Sequence, residues 1–258
     1  MIKLIIKYFK FNLSAHMEYR VNFLIQSIGM IINDFFLLFF WWVLFKQIGT
    51  IREYGLNEIL LLYSVITVSF GLSMIFFGNQ MKLSSIIYNG ELDSYLFLPK
   101  PVLFHILISR IDIAAIGDFA FGICVFFLSG YGGIKNFILL ILFGMLGAIL
   151  FASFNVIVHS LSFYIGNSNS LSSLLSDTLM TFSTYPHTVY TGISKILLLT
   201  VLPAMYFSFI PVQIIKEFSI IKLIQLLAAN IIFVSIAFFS FYYGLKKYES
   251  GNLITKKM

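Results

Sequence analysis

Residues 196–215 read ILLLTVLPAMYFSFIPVQII. They carry no charge, and roughly 20 apolar residues suffice to cross the hydrocarbon core of a bilayer. Pro203 and Pro211 argue against one uninterrupted helix, because each lacks a backbone donor and crowds the preceding turn. Whether this stretch crosses or dips decides the fold. Crossing would put the two chain ends on opposite faces, whereas dipping leaves both on one.

Outward from it, the apolar runs predict where the chain does cross. Upstream, residues 161–185 form an atypical fifth span that holds Asp177 and follows the polar run GNSNSLSSLLS at 166–176. Residues 136–160 make a fourth, with Gly144 and Gly147 placed for close helix packing. Residues 108–129 make a third, with Arg110 and Asp112 near its entrance and Asp118 inside. Residues 59–81 are uncharged and make the second. Residues 21–45 make the first, holding Asp34 and ending on an interfacial Trp41-Trp42 pair. Downstream, residues 223–245 are the last. With residues 186–222 re-entrant, eleven Lys and Arg fall on the side of both chain ends and six on the other. Basic residues favour the cytoplasmic face, so the expected fold is all-α, with six transmembrane helices and a re-entrant outer element. Non-helical backbone at that depth must be buried in protein or face water.

Composition agrees with this class. The chain of 258 residues is 59% hydrophobic and 11% charged, against about one-quarter charged in soluble domains. The expectation is a single integral membrane domain. Its net charge of +6 comes from Lys and Arg at the borders of apolar runs, which is a topology signal, so no nucleic-acid partner is expected. Cys124 is the one cysteine, which excludes an internal disulfide and a Cys-based zinc site. His16, His105, His159 and His187 are scattered over different segments, and no metal site is expected. P-loop, H-E-x-x-H and G-x-S-x-G patterns are all missing. No catalytic residue is therefore assigned, and the chain is not expected to be an enzyme.

Residues 1–20 place Lys3, Lys7, Lys10, Ser14 and Glu18 on one helical stripe and Ile2, Ile5, Ile6, Phe9, Leu13 and Met17 on the other. That pattern predicts an amphipathic helix in the membrane interface. The lysines interrupt any signal-peptide core, and no cleavage site follows.

Two features carry functional expectations. Residues 82–101, KLSSIIYNGELDSYLFLPKP, are the most polar interval of the first half, with a turn signal at Tyr88-Asn89-Gly90. A short charged loop on a multi-span protein is a docking point for a soluble partner. Asp34, Asp118 and Asp177 lie inside apolar stretches. A charge at mid-bilayer costs about 2.5–3.5 kcal/mol on insertion scales, so each acid should face a partner or a polar cavity. Arg110 is the nearest membrane-region cation to Asp118. These four make a translocation path, a proton-coupled site or structural pairs.

The order of these features resembles the ABC-2 type permeases, in particular a six-span subfamily of similar length. The resemblance rests on the basic N-terminal helix, the loop Gly90-Glu91-Leu92-Asp93…Leu96…Leu98-Pro99, Tyr185-Pro186, Pro203 with Pro211, and the tail Lys247-Tyr248-Glu249-Ser250-Gly251. It implies a type V exporter fold. The chain would be a subunit that pairs with a second permease, the same or homologous, and with separate ABC ATPase subunits holding ATP and Mg. No cofactor is implied in this chain itself. The resemblance further implies a bacterial cytoplasmic-membrane location, both termini cytoplasmic including the tail 246–258, and a coupling helix within 82–101. Gly90, Leu92, Leu96 and Pro99 match the loop pattern; Tyr185, Pro186, Pro203 and Pro211 match an outer gate. Since Lys82, Glu91, Asp93 and Lys100 are the loop's few charges, Ile86, Ile87, Tyr95 and Leu96 are expected to dock on the ATPase too. Tyr95 and Phe97 would be the aromatic anchors. The substrate is expected to be amphipathic or hydrophobic. The alternatives are an ion-coupled transporter or channel that uses the three acids, and a non-transport immunity or scaffold protein.

Overall fold

The computed structural model describes residues 2–18, 20–52, 54–99 and 101–249. Lys100 and the tail from Ser250 onward, with Lys256 and Lys257, lie outside the described residues. The chain opens with α1 (Ile2–Glu18), α2 (Arg20–Ile48) and α3 (Leu56–Phe76). The central loop contains α4 (Leu83–Tyr88) and α5 (Asp93–Leu96) and leads into α6 (Val102–Ser109) and α7 (Ile116–Leu128). Then follow α8 (Ile134–His159), α9 (Ser162–Ile165), α10 (Asn169–Ser183), α11 (Ile193–Thr200), α12 (Ile210–Lys216) and α13 (Ile220–Leu245).

By length and apolar content, α2, α3, Ile134–Ile165 and α13 are each able to cross a membrane. Two further pairs qualify only jointly: Val102–Ser109 with Ile113–Leu128, bent by 69°, and Ile193–Thr200 with Met205–Lys216, bent by 72°. The described residues thus hold four to six candidate spans, and they differ from the expected set in two places.

Residues 161–185 are not one continuous helix. The chain turns at Gly166, whose φ of +75° is left-handed and favours glycine, and Asn167 Oδ1 accepts from the Asn169 backbone at 3.2 Å. The Ser/Asn run offers the backbone these local bonds in place of helix. The α10 that follows has 15 residues, about 22 Å at 1.5 Å per residue, short of the roughly 30 Å core. Residues 108–129 are also interrupted. Arg110 is extended (φ −123°, ψ 139°), and Asp112 Oδ1 accepts from the Ala114 N–H at 3.1 Å. Asp112 therefore caps a new helical start where a single span was expected to run on.

The core is built around α3, an uncharged helix apart from Glu58 and buried along nearly its whole length. A helix apolar all round belongs inside a bundle. Its neighbours approach through glycine. A Cβ on Gly71 would lie 2.8 Å from the Phe119 backbone nitrogen of α7, and one on Gly122 would lie 2.4 Å from Thr67 Oγ1. On the other side, Gly144 and Gly147 of α8 would meet Val68 Cγ1 at 2.5 Å and Ser69 Oγ at 2.4 Å. Both of those glycines pack tightly, as their positions in the sequence suggest. Hydroxyls inside this core bond to carbonyls, such as Ser73 Oγ donating to Ala148 O at 3.1 Å.

A second core holds the central loop. Leu83, Ile86, Ile87 and Leu92 are buried with Leu103 and Ile106 of α6, Val156 of α8, and Ala237 and Phe241 of α13. Ser84 ties α4 to two helices, with its Oγ 2.9 Å from His159 Nδ1 and 3.0 Å from Asn169 Oδ1. Ser109 gathers three more contacts. Its Oγ lies 2.7 Å from Asn79 Nδ2 and 3.0 Å from the Tyr95 hydroxyl, while its carbonyl accepts from Asn12 of α1 at 3.1 Å. On α1 the polar stripe Lys3, Lys7, Lys10, Ser14 and Glu18 is exposed; of the apolar stripe Phe9 and Leu13 pack inward, while Ile6 and Met17 remain exposed.

Candidate functional site

Between α2, α3, α7 and α10 lies a cavity of about 710 Å³, within the range of about 300–1,000 Å³ usual for ligand sites. Gln26, Met30, Asn33, Asp34 and Leu37 line it from α2, at the three- and four-residue spacing of one helical face. Facing them from α3 are Tyr63, Ile66, Thr67 and Phe70. Asp118 enters from α7, and Asp177, Met180, Thr184 and Tyr185 from α10 and the residues after it. The three acids named from sequence therefore share one cavity.

They differ in setting. Asp118 is buried, 5% exposed, and makes no hydrogen bond or ion pair among the described residues. Asp34 Oδ2 is buried without a hydrogen-bond partner. Asp177 is exposed on its helix. Arg110 does not join them. It sits, exposed, in the break before the bent helix, so the two-turn spacing to Asp118 along the sequence does not become a contact.

Two aromatic residues of the lining, Tyr63 and Tyr185, are held by Trp41 behind them. Trp41 Nε1 donates to the Tyr63 hydroxyl at 3.0 Å, and the Trp41 and Tyr185 rings meet edge to face, 5.7 Å between centroids. Tyr63→Phe leaves a buried indole N–H without its acceptor. It should lower stability by about 1 kcal/mol and shift Trp emission, read in a detergent melt followed by intrinsic fluorescence. Unchanged emission and midpoint would mean that the bond contributes nothing.

The expected outer gate is only partly a break. Pro186 precedes a short helical turn, and Pro203 lies at the 72° bend. Pro211 interrupts nothing. It sits in the first turn of α12, directly after a π-helical turn, Met205–Phe209, that absorbs its missing donor. Polar contacts bolt this element to the loop after α2 and to the first turn of α3. The Tyr54 hydroxyl lies 3.0 Å from His187 Nδ1, Arg52 donates to the Thr188 carbonyl, and Lys216 pairs with Glu58 at 3.1 Å.

The expected docking loop divides into an inner and an outer half. Ile86, Ile87 and Leu92 are buried in the subunit's own core, which corrects the expectation that Ile86 and Ile87 face a partner. Too short for a legible period, the segment hid which of its apolar residues turn inward. Gly90 makes the left-handed turn at φ +78°. Tyr95 is half-buried, while Glu91, Leu96, Phe97, Leu98 and Pro99 are exposed, Phe97 to 89%. The Tyr248 hydroxyl faces Asp93; burial first, then the Asp93 carboxylate, pushes it up to about 12. The start of the tail therefore rests on this loop.

A family model described as ABC-2 family transporter protein matches residues 31–251, which is most of the chain. The chain belongs to the ABC-2 transporter family. No curated protein and no solved structure matches it. Membership makes this ABC-2 protein a membrane protein with a transport permease role, in a family that generally works with ABC ATPase subunits. Sequence reasoning named neither Gln26, Met30, Tyr63 nor Thr67 as site residues. Their signal was the polar stripe at Gln26, Asn33 and Asp34 and the pair Tyr63 and Thr67 in an otherwise apolar span.

Proposed function

We propose that this ABC-2 chain is the permease subunit of an ATP-driven exporter, working with a second permease, the same or homologous, and with separate ATPase chains that bind ATP and Mg. The reading keeps six spans, counting the short α10 with its flanking residues as the fifth, and takes residues 186–222, which hold α11 and α12, as the re-entrant outer element, with both ends cytoplasmic in a bacterial cytoplasmic membrane. It is supported above all by the central loop. An apolar tip of Leu96, Phe97 and Leu98 stands exposed on a base buried in the subunit, and exposed aromatic anchors commonly carry binding energy at interfaces. From that base Ser84 reaches Asn169 at the start of α10, and Ser176 Oγ of α10 donates to Asn155 Oδ1 of α8 at 2.6 Å. Displacement of the loop by an ATPase would thus pass to the helix that carries Asp177, and alternating access at the cavity would follow.

The test is gentle purification of tagged protein from its native membrane, with mass spectrometry of the co-eluting chains. A P-loop ATPase without spans of its own is the expected companion, and a second permease would identify a heterodimer. Recovery of this chain alone across several detergents would sink the exporter reading. The three acids in one cavity would then favour an ion-coupled transporter.

A further inference from the structure

The geometry points to a lipophilic organic cation as the substrate class of the cavity between α2, α3, α7 and α10, an inference that rests on reading this cavity as the transport path. Three carboxylates, Asp34, Asp118 and Asp177, line it, and among the described residues no Lys, Arg or His does. A concave, low-dielectric site lined by one sign of charge concentrates ligands of the other sign. Asp118 is nine-tenths buried with no hydrogen bond or ion pair among the described residues, and Asp34 Oδ2 is buried and unpartnered. Buried carboxylates are costly unless paired, so two acceptors here lack the partner that such groups normally have.

The remainder of the lining says what kind of cation fits. Tyr63, Phe70 and Tyr185 present ring surface, and Met30 and Met180 add thioethers. Aromatic faces attract desolvated cations, and methionine adapts to irregular apolar shapes. Among the described residues no three of His, Cys, Asp and Glu converge as metal ligands would. The acids spread around a space of about 710 Å³, which suits a diffuse charge on a bulky apolar body better than a point charge.

Tetraphenylphosphonium and tetraphenylborate are near-identical in shape and opposite in charge, so they isolate the role of charge. The full chain in nanodiscs, with binding to empty nanodiscs subtracted, should bind the phosphonium on the order of tenfold tighter than the borate, as one desolvated ion pair allows. Asp118→Asn and Asp34→Asn should each weaken phosphonium binding severalfold and leave borate binding no weaker. Asp177→Asn, at an exposed position, guards against a loss that merely reflects misfolding and should act in the same direction. Equal binding of the two ions, a borate preference, or well-folded variants that bind phosphonium as the wild type does would each overturn the inference. The assay contains no ATPase. An ATPase recovered from native membranes without this charge preference would leave the exporter standing and remove the cation, while the preference without an ATPase would do the reverse.

Discussion

A Phe97→Asp chain should insert, fold and melt as the unaltered protein does, yet lose its ATPase. Phe97 is 89% exposed, so the change removes little contact within the subunit. At an interface it replaces an aromatic anchor with a charge. Truncating such an anchor commonly costs about 2 kcal/mol or more, on the order of thirtyfold in Kd, and a desolvated carboxylate adds to the loss. The measurement is ATPase recovered per tagged permease, alongside the melting midpoint of the purified chain. Ile87→Asp supplies the contrast. Ile87 lies in the buried base of the same loop, so that variant should fail to fold. Normal ATPase recovery with Phe97→Asp would remove the docking claim and leave the fold untouched.

A large loss of stability is also expected from Gly71→Leu. A Cβ there already stands 2.8 Å from the Phe119 backbone nitrogen and 3.0 Å from the Ala115 carbonyl oxygen, and backbone does not swing aside as a side-chain tip does. Overpacking a tight core costs about 1–3 kcal/mol and occasionally more. Three further heavy atoms of leucine beyond the Cβ, wedged between α3 and α7, belong at the high end. Gly29→Ala is the control, since a Cβ there meets nothing within 4 Å; removing a helical glycine should leave stability within about 1 kcal/mol or raise it. The check is monodispersity on size exclusion and the detergent melting midpoint of both variants. A Gly71→Leu chain as stable as the wild type would mean that α3 and α7 are not packed as described.

What could be read from the residues depended on the length of the signal. α3, α8 and α13 are long, nearly uncharged runs, and their existence follows from the solvent they require. Asp34 and Asp118 were expected to face a partner or a polar cavity, and both line one. That they share a cavity with Asp177 was not legible, because it depends on how three helices are rotated about their axes, and tertiary packing sets that. The same limit hid the bend at Arg110, where one capping carboxylate outweighs an apolar pattern. In residues 82–101 the helices span six and four residues, less than two turns, so no periodicity separates buried Ile87 from exposed Phe97.

The contrast between α2 and α3 bears on how this sequence drifts over generations. α3 is enclosed by protein, so nearly every position answers to a neighbour's shape. On α2 only Ser27, Trp41 and Phe45 are buried, and residues such as Ile28, Ile32, Phe36 and Phe40 need only be apolar. Besides those three, the α2 side chains Gln26, Met30, Asn33, Asp34 and Leu37 form one narrow file along the cavity. Within the single subunit, most of that helix could be exchanged for other apolar residues without disturbing the packing described. If the cavity is the transport path proposed above, a change at a single member of that file would alter what the protein admits.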